Sequence, residues 1–432
     1  MTRRPALFIF LLLVVSSICQ PAFSQSAQKT FIYGDALPDA PELSARGSYA
    51  VGVQTIEVVN KNQVDVLSYA KDSLARYDRK LTLEVWYPTS APAAVISYDE
   101  VMGQNGNPNR PIIPFTFAGR ATRKAAPLLK DSPYPLVIVS HGYTGSRYLM
   151  TYLTENLASK GYVVVSIDHM ESTFRDAAGF PSTLLNRSLD DLFVLNEMAR
   201  LSKDKSSFLA GLVNTDNTAL VGYSMGGYGA VNVAGGGYSQ QAVELFGGMT
   251  GGSKALAVRM RGNAAFEASI DPRIKVIVAF APWGMERGLW DAEGLAGIKI
   301  PSLFVAGSMD DVSGYEKGIK AIYEGAVNSD RYMLTYIDAR HNVAPNPPPV
   351  EAMQPGLNIN EYLRYADSVW DMRRINNINQ HFVTAFLGMH LKGITDYKKF
   401  LDVPVNSSEE VWTGFKPRTS IGLQLVHDGP QK

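Results

Sequence analysis

A single cysteine, Cys19, occurs in the 432 residues, and it sits in the N-terminal apolar stretch. Without that stretch the chain can form no disulfide and offers no thiol nucleophile. The Cys/His spacings of zinc sites are absent as well. Neither sign of charge is in excess, because Lys+Arg and Asp+Glu both number 41. A balanced chain lacks the electrostatic footprint of a nucleic-acid or anionic-membrane binder, so no nucleic-acid partner is expected. Beyond the N-terminus no apolar run approaches the ~20 residues of a spanning helix. No internal repeat is visible. Hydrophobic residues make up 46% and charged residues 19%, an ordinary globular composition able to build a sizeable core.

The first residues read as an address. Arg3 and Arg4 form a positive n-region, Ala6 to Val15 is an unbroken apolar run, and Ala22-Phe23-Ser24 places small residues where a signal peptidase reads. Residues 1–24 are expected to be a cleaved signal peptide, and the mature protein to be periplasmic or secreted with no stable membrane span.

Further along, short apolar strands alternate with helical stretches. Ser48–Val59 and Leu81–Trp86 read as lead-in strands. PLVIVS (135–140), YVVVSID (162–168), TALVGY (218–223), IKVIVAFA (274–281), SLFVA (302–306) and 332–337 read as buried strands. Helices are expected near 148–160, 188–201 and 372–391. Residues 88–134 look loop-like, and 88–134, 235–270 and 343–370 look like insertions. This alternation predicts an α/β fold, a mostly parallel central sheet with helices on both faces, in a single domain over residues 25–432. In such a sheet, ligands bind beyond the carboxyl ends of the strands.

The chemistry-bearing residues fall in those positions. Gly222-Tyr223-Ser224-Met225-Gly226 follows the strand TALVGY and precedes the helical MGGYGAVNVA. That is the context in which a sharp strand-to-helix turn presents a serine Oγ. A serine needs a base, and the order expected of this fold is Ser, acid, His. Of the later histidines, only His341 lies in a loop just after a strand; His381 and His390 fall in the last helix and His427 in the tail. The acid belongs on the loop after SLFVAG, where Asp310 and Asp311 are neighbours and both are candidates. Oxyanion donors are expected from the backbone N–H of Met225 and from that of Tyr143 in the loop SHGYTGS (140–146). His141 reads as a loop-holding residue. Trp283 and Met285, just after a strand, are candidates for lining a substrate pocket or for ordinary packing. No metal or organic cofactor is implied.

Together the blocks YPLVIVSHGYTGSRYLMTYLTENLASKGYVVVSIDH, GYSMGG, PSLFVAGSMDD and ARHN resemble the bacterial dienelactone-hydrolase-like proteins grouped with platelet-activating-factor acetylhydrolases. The resemblance covers most of residues 45–395. SHGYTGS and GYSMGG are also similar to those of bacterial cutinases and polyester hydrolases. True dienelactone hydrolases carry a cysteine where this chain has Ser224. The resemblance implies an α/β-hydrolase fold with Ser224 as nucleophile, Asp310 as acid, His341 as base, and Tyr143 and Met225 at the oxyanion. The implied activity is hydrolysis of short-acyl esters or acetylated lipids, with a cutinase-, polyester- or lipase-like hydrolase as the alternative. A non-catalytic binding protein on the same scaffold is the reading from a different class.

Overall fold

Two long strands, β1 (Ala50–Val64) and β2 (Arg76–Thr89), pair antiparallel with Val53 opposite Trp86. They are followed by β3 (Ile96–Met102), β4 (Ile113–Gly119), β5 (Thr122–Arg123), β6 (Tyr134–Ser140) and β7 (Val163–Asp168). The later strands are β8 (Val213–Tyr223), β9 (Ile274–Phe280), β10 (Ser302–Gly307), β11 (Arg331–Tyr336) and β12 (Leu423–Asp428). This architecture comes from a computed structural model that describes residues 31–69 and 75–431; the expected signal peptide lies outside them.

One sheet of ten strands has the order β12-β11-β10-β9-β8-β6-β7-β2-β1-β5. From β7 through β6, β8, β9 and β10 to β11 every pairing is parallel, and β2 and β12 flank that block antiparallel. Runs such as Val163-Val164-Val165 on β7 and Val276–Ala279 on β9 are fully buried, as strands covered on both sides must be.

The helices among the described residues are α1 (Thr151–Ser159), α2 (Phe180–Lys203), α3 (Met225–Val233), α4 (Gln240–Met249) and α5 (Ala264–Ala268). The remainder are α6 (Ala292–Leu295), α7 (Lys320–Gly325), α8 (Ile359–Leu363) and α9 (Met372–Lys392). They pack around the sheet. Local chemistry explains the longer ones. Pro181 stands in the first turn of α2, where its missing N–H costs nothing. Asp371 caps α9 by accepting from the Arg373 N–H, and Gly393 ends it at φ 64°. α2 begins eight residues earlier than the helix expected from the apolar pattern. Its first two turns point Ser182, Asn186 and Arg187 inward, and these polar residues hide a buried face.

Residues 88–134 are not simply a loop. β3 and β4 form a separate two-stranded antiparallel sheet, with Tyr98 opposite Phe117. The Pro, Gly and Asn residues between the strands masked the alternating pattern of SYDEV and PFTFA. This small sheet is pinned to the large one through Tyr98, whose hydroxyl accepts from Trp86 Nε1 at 2.9 Å and donates to Glu155 Oε1 at 2.8 Å.

A second pin is Glu100. It is buried, accepts from the Ser146 hydroxyl, and accepts from the Val101 N–H at 2.8 Å. Burial, with the negative Asp168 adding to it, pushes its carboxyl up to about 7 against the pull of Ser146, Val101 and Arg147. A pKa raised on folding gives stability that is fully present below the ordinary carboxyl range, near ~4.3, and is lost as pH rises through about 7. Glu100→Gln is therefore expected to be more stable relative to wild type at pH 8 than at pH 4.5. Denaturant midpoints across that range check this, and an unchanged difference at both ends would contradict it.

Candidate active site

The order of the sheet reverses beside β6, with β7 on one side and β8 on the other. The crevice beyond the carboxyl ends of β6 and β8 is the switch point of the sheet, where ligands bind in open α/β folds. The loop after β6 holds residues 141–147, and the turn after β8 holds Ser224. Sequence spacing and topology therefore converge on one place.

Ser224 adopts φ 53° and ψ −110°, a conformation that L residues avoid and that costs on the order of 1–3 kcal/mol. The fold holds it there. Its N–H donates to the Phe280 carbonyl at 2.9 Å, and its own carbonyl accepts from the N–H groups of Tyr228 at 2.9 Å and Trp283 at 3.2 Å. Two glycines make the turn possible. A Cβ on Gly222 would lie 2.1 Å from the Gly226 carbonyl oxygen, and one on Gly226 would lie 1.9 Å from that of Ser140. Both obstacles are backbone, so neither can swing aside. Gly226→Ala is expected to cost at least the ~1–3 kcal/mol of an overpacked core and to lower Tm together with activity. Unchanged thermal unfolding in that variant would contradict the close approach.

His341 follows β11 and reaches Ser224 directly, with Nε2 3.0 Å from Ser224 Oγ. On its other edge, Nδ1 lies 2.8 Å from Asp310 Oδ2. Asp310 is 6% exposed and also accepts from the N–H groups of Val312 at 2.9 Å and Ser313 at 2.8 Å. Burial alone would raise its pKa, but the His341 bond and these two amides outweigh it and hold the carboxyl below its usual range. The loops after β10 and β11 interlock: the Met309 N–H donates to the Ala339 carbonyl at 2.9 Å. Gly307 leaves no room for a Cβ beneath the Arg340 carbonyl, 2.1 Å away.

Asp311 points elsewhere. It pairs with Arg340, Nε at 3.1 Å, and both side chains are about half exposed. The other histidines have different occupations. His381 is buried in α9, accepts from the Leu43 N–H at 3.1 Å, and is driven down to about 3 by burial and then by Lys160. His390 lies near the end of α9 against Phe386. His427 stacks on Tyr332 at 4.0 Å and meets Asp330 at 2.7 Å. His141 is buried and kept neutral, chiefly by desolvation and then by Arg187; its Nδ1 lies 2.6 Å from the Gly142 carbonyl.

Tyr143 lines the cleft beside Ser224, Met225 opens α3 directly after it, and among the described residues no acceptor is found for the N–H of either. The loop carrying Tyr143 is braced from beneath. Arg187 Nη1 donates to the His141 carbonyl at 2.9 Å, and His169 links Ser140 Oγ at 2.8 Å to Asp190 Oδ2 at 2.9 Å. Burial, with Arg187 adding to it, lowers His169 to about 3, so its neutral ring donates from Nδ1 and accepts at Nε2. Sequence reasoning missed this polar bracing, although Arg187, Asp190 and Asp191 inside a helical run were the available signal.

The cleft over Ser224 holds about 210 Å³ and is lined by residues including Tyr143, Leu149, Phe174, Val312, Leu363 and Arg364. Trp283 and Met285 are not among its lining residues. Trp283 is half-buried and edge-on to Phe180 at 5.3 Å, the ring that meets Tyr143 at 5.5 Å, and Met285 opens a short 3-10 turn. Of the three expected insertions, 343–370 reaches the cleft, through Leu363 and Arg364 at the end of α8. No group of three or more His, Cys, Asp or Glu among the described residues is arranged to hold a metal ion. No helix among them is long and apolar enough to cross a membrane.

Residues 129–245, which carry the Tyr143 loop and Ser224, match the family model described as PETase: PET hydrolase-like. Among solved structures, the ferulic acid esterase from Streptomyces cinnamoneus superposes with a TM-score of 0.55 at 18% identity, over 90% of this chain and 99% of that one. The chain has an α/β-hydrolase fold. Its similarity to curated proteins is more local. It is 23% identical over 219 residues to cutinase 2 of Thermobifida cellulosilytica, covering 51% of this chain and 64% of that cutinase. It is likewise 23% identical over 219 residues to cutinase cut1 of Thermobifida fusca, where the match covers 53% of the relative. The chain thus spans between about half and two thirds of these relatives' length.

Proposed function

We propose that this α/β-hydrolase is a serine carboxylic-ester hydrolase that works through an acyl-enzyme. The observation that carries the reading is the unbroken line Ser224 Oγ, His341 Nε2, His341 Nδ1, Asp310 Oδ2, with steps of 3.0 and 2.8 Å. Both lie within hydrogen-bond reach of a nucleophile and its base, and of a base and its orienting acid. His341 takes the Ser224 proton as Oγ attacks the ester carbonyl. Asp310 holds the Nδ1–H tautomer and stabilises the imidazolium that forms. The N–H groups of Tyr143 and Met225 receive the oxyanion. The alcohol leaves with the proton from His341, and water then attacks the acyl-enzyme with His341 again as base.

The substrate class is a small ester with a short acyl chain or an acetylated lipid. A polyester substrate is the second reading, favoured by the match of residues 129–245 to the PET hydrolase-like model. A panel of p-nitrophenyl esters of rising acyl length, run beside a polyester film, separates these readings. The account predicts turnover of short acyl esters, and no turnover of any ester would overturn it. A binding protein without activity is disfavoured by the complete Ser–His–Asp line. The reading also includes export of the mature protein to the periplasm or medium after cleavage behind Ser24. Intact mass of the exported protein tests this: a start near Gln25 agrees, and retention of Arg3 contradicts.

A further inference from the structure

Arg364 is a cation set into an apolar wall. Around it the cleft is formed by Leu149, Phe174, Val312 and Leu363, and its guanidinium stands 5.9 Å from the Phe174 ring centre. Charged groups that leave water are normally paired, because an uncompensated buried charge is costly. Arg364 makes no ion pair among the described residues. Of the two acids three residues away, Glu361 is occupied by Arg110, at 2.6 Å to Nε and 3.2 Å to Nη2, and by the Gly103 N–H at 2.9 Å, and Asp367 accepts from the N–H groups of Arg340, Val369 and Trp370.

Among the described residues the Arg364 guanidinium donates to one acceptor, the Thr144 carbonyl, 3.4 Å from Nη1. Nε is buried without a partner among the described residues. Nη2 meets no acceptor among the described residues, and with Arg364 lining the cleft it is left for a ligand. A guanidinium is a planar array of charged donors, and a carboxylate is the anion that matches it. The cation also acts on the site itself: desolvation and the neighbouring Arg110 lower the Arg364 pKa, while its charge opposes the upward shift of the Tyr143 and Tyr223 hydroxyls.

Building on the ester-hydrolase reading, we propose that Arg364 selects esters that carry a free carboxylate a few bonds from the scissile carbonyl, such as monoesters of short dicarboxylic acids. The carboxylate would dock on the guanidinium through Nη2, and the ester carbonyl would lie at Ser224 and the N–H groups of Tyr143 and Met225. Hydrolysis would then release the diacid.

The test compares monomethyl and dimethyl esters of succinate, glutarate and adipate. In wild type, kcat/KM for the monoester of at least one chain length should exceed that of its diester by about 10- to 100-fold, the worth of a charge-assisted hydrogen bond. The difference should lie in KM. Arg364→Met should abolish that ratio, and Arg364→Lys should retain part of it, with circular dichroism confirming that both variants fold. Equal rates for monoester and diester in wild type, or an unchanged ratio in a folded Arg364→Met or Arg364→Lys protein, would overturn the proposal.

A binding readout separates this idea from the ester-hydrolase reading. Calorimetry of the same monoesters and diesters against Ser224→Ala needs no turnover. Monoester-selective binding that disappears when Arg364→Met is added supports the carboxylate site even if no ester is hydrolysed. Binding without selectivity, or no binding of the monoesters, overturns it.

Discussion

Ser224→Ala is expected to lower kcat/KM for short acyl esters by about four to six orders of magnitude while Tm stays close to wild type, because the nucleophile and its base act as one unit. Alanine fits the space of the serine, and the hydrogen bonds that hold residue 224 are made by its backbone to Phe280, Tyr228 and Trp283. The loss should thus be chemical. His341→Ala should be of similar size, and the double variant little worse than either single one. A Ser224→Ala enzyme of wild-type activity, measured with p-nitrophenyl acetate after correction for background hydrolysis, would remove the nucleophile from the account.

The second large effect separates two neighbouring carboxylates. Asp310→Asn should reduce turnover by about three to four orders of magnitude. Its amide cannot stabilise the imidazolium, and an NH₂ turned toward Nδ1 disturbs the tautomer that presents Nε2 to Ser224. Asp311→Asn should cost less than about tenfold, because an exposed pair such as that with Arg340 is worth only about 0–1 kcal/mol. Kinetics of the two single variants decide the matter. A larger loss on Asp311 would mean that the acid is misassigned.

Much of this site could be read from residue order because each of its parts follows a buried parallel strand. Ser224, the Tyr143 loop, Asp310 and His341 come after β8, β6, β10 and β11, whose apolar runs are unmistakable. The choice between Asp310 and Asp311 could not come from the strand pattern, since a loop's direction depends on packing. It is the meeting of the Met309 N–H with the Ala339 carbonyl that turns Asp310 inward and leaves Asp311 to Arg340. The wall of the cleft was harder to see. Phe174 and Arg364 come from irregular segments and Leu363 from the end of the five-residue α8, none long enough to show a period, and Trp283, adjacent to a core strand, packs against Phe180. The β3–β4 pair was obscured by the turn residues within it, although its aromatic positions alternate. The polar face of α2 escaped for the opposite reason, since inward-pointing Arg187 and Asp190 break the apolar rule that pattern reading relies on.

The most direct measurement is peptide mapping by mass spectrometry after reaction with a fluorophosphonate, which labels only a serine activated by a neighbouring base. The account predicts one adduct per chain, on the peptide containing Ser224, absent in Ser224→Ala and strongly slowed in His341→Ala. No adduct, or an adduct on another serine that persists in Ser224→Ala, would contradict it.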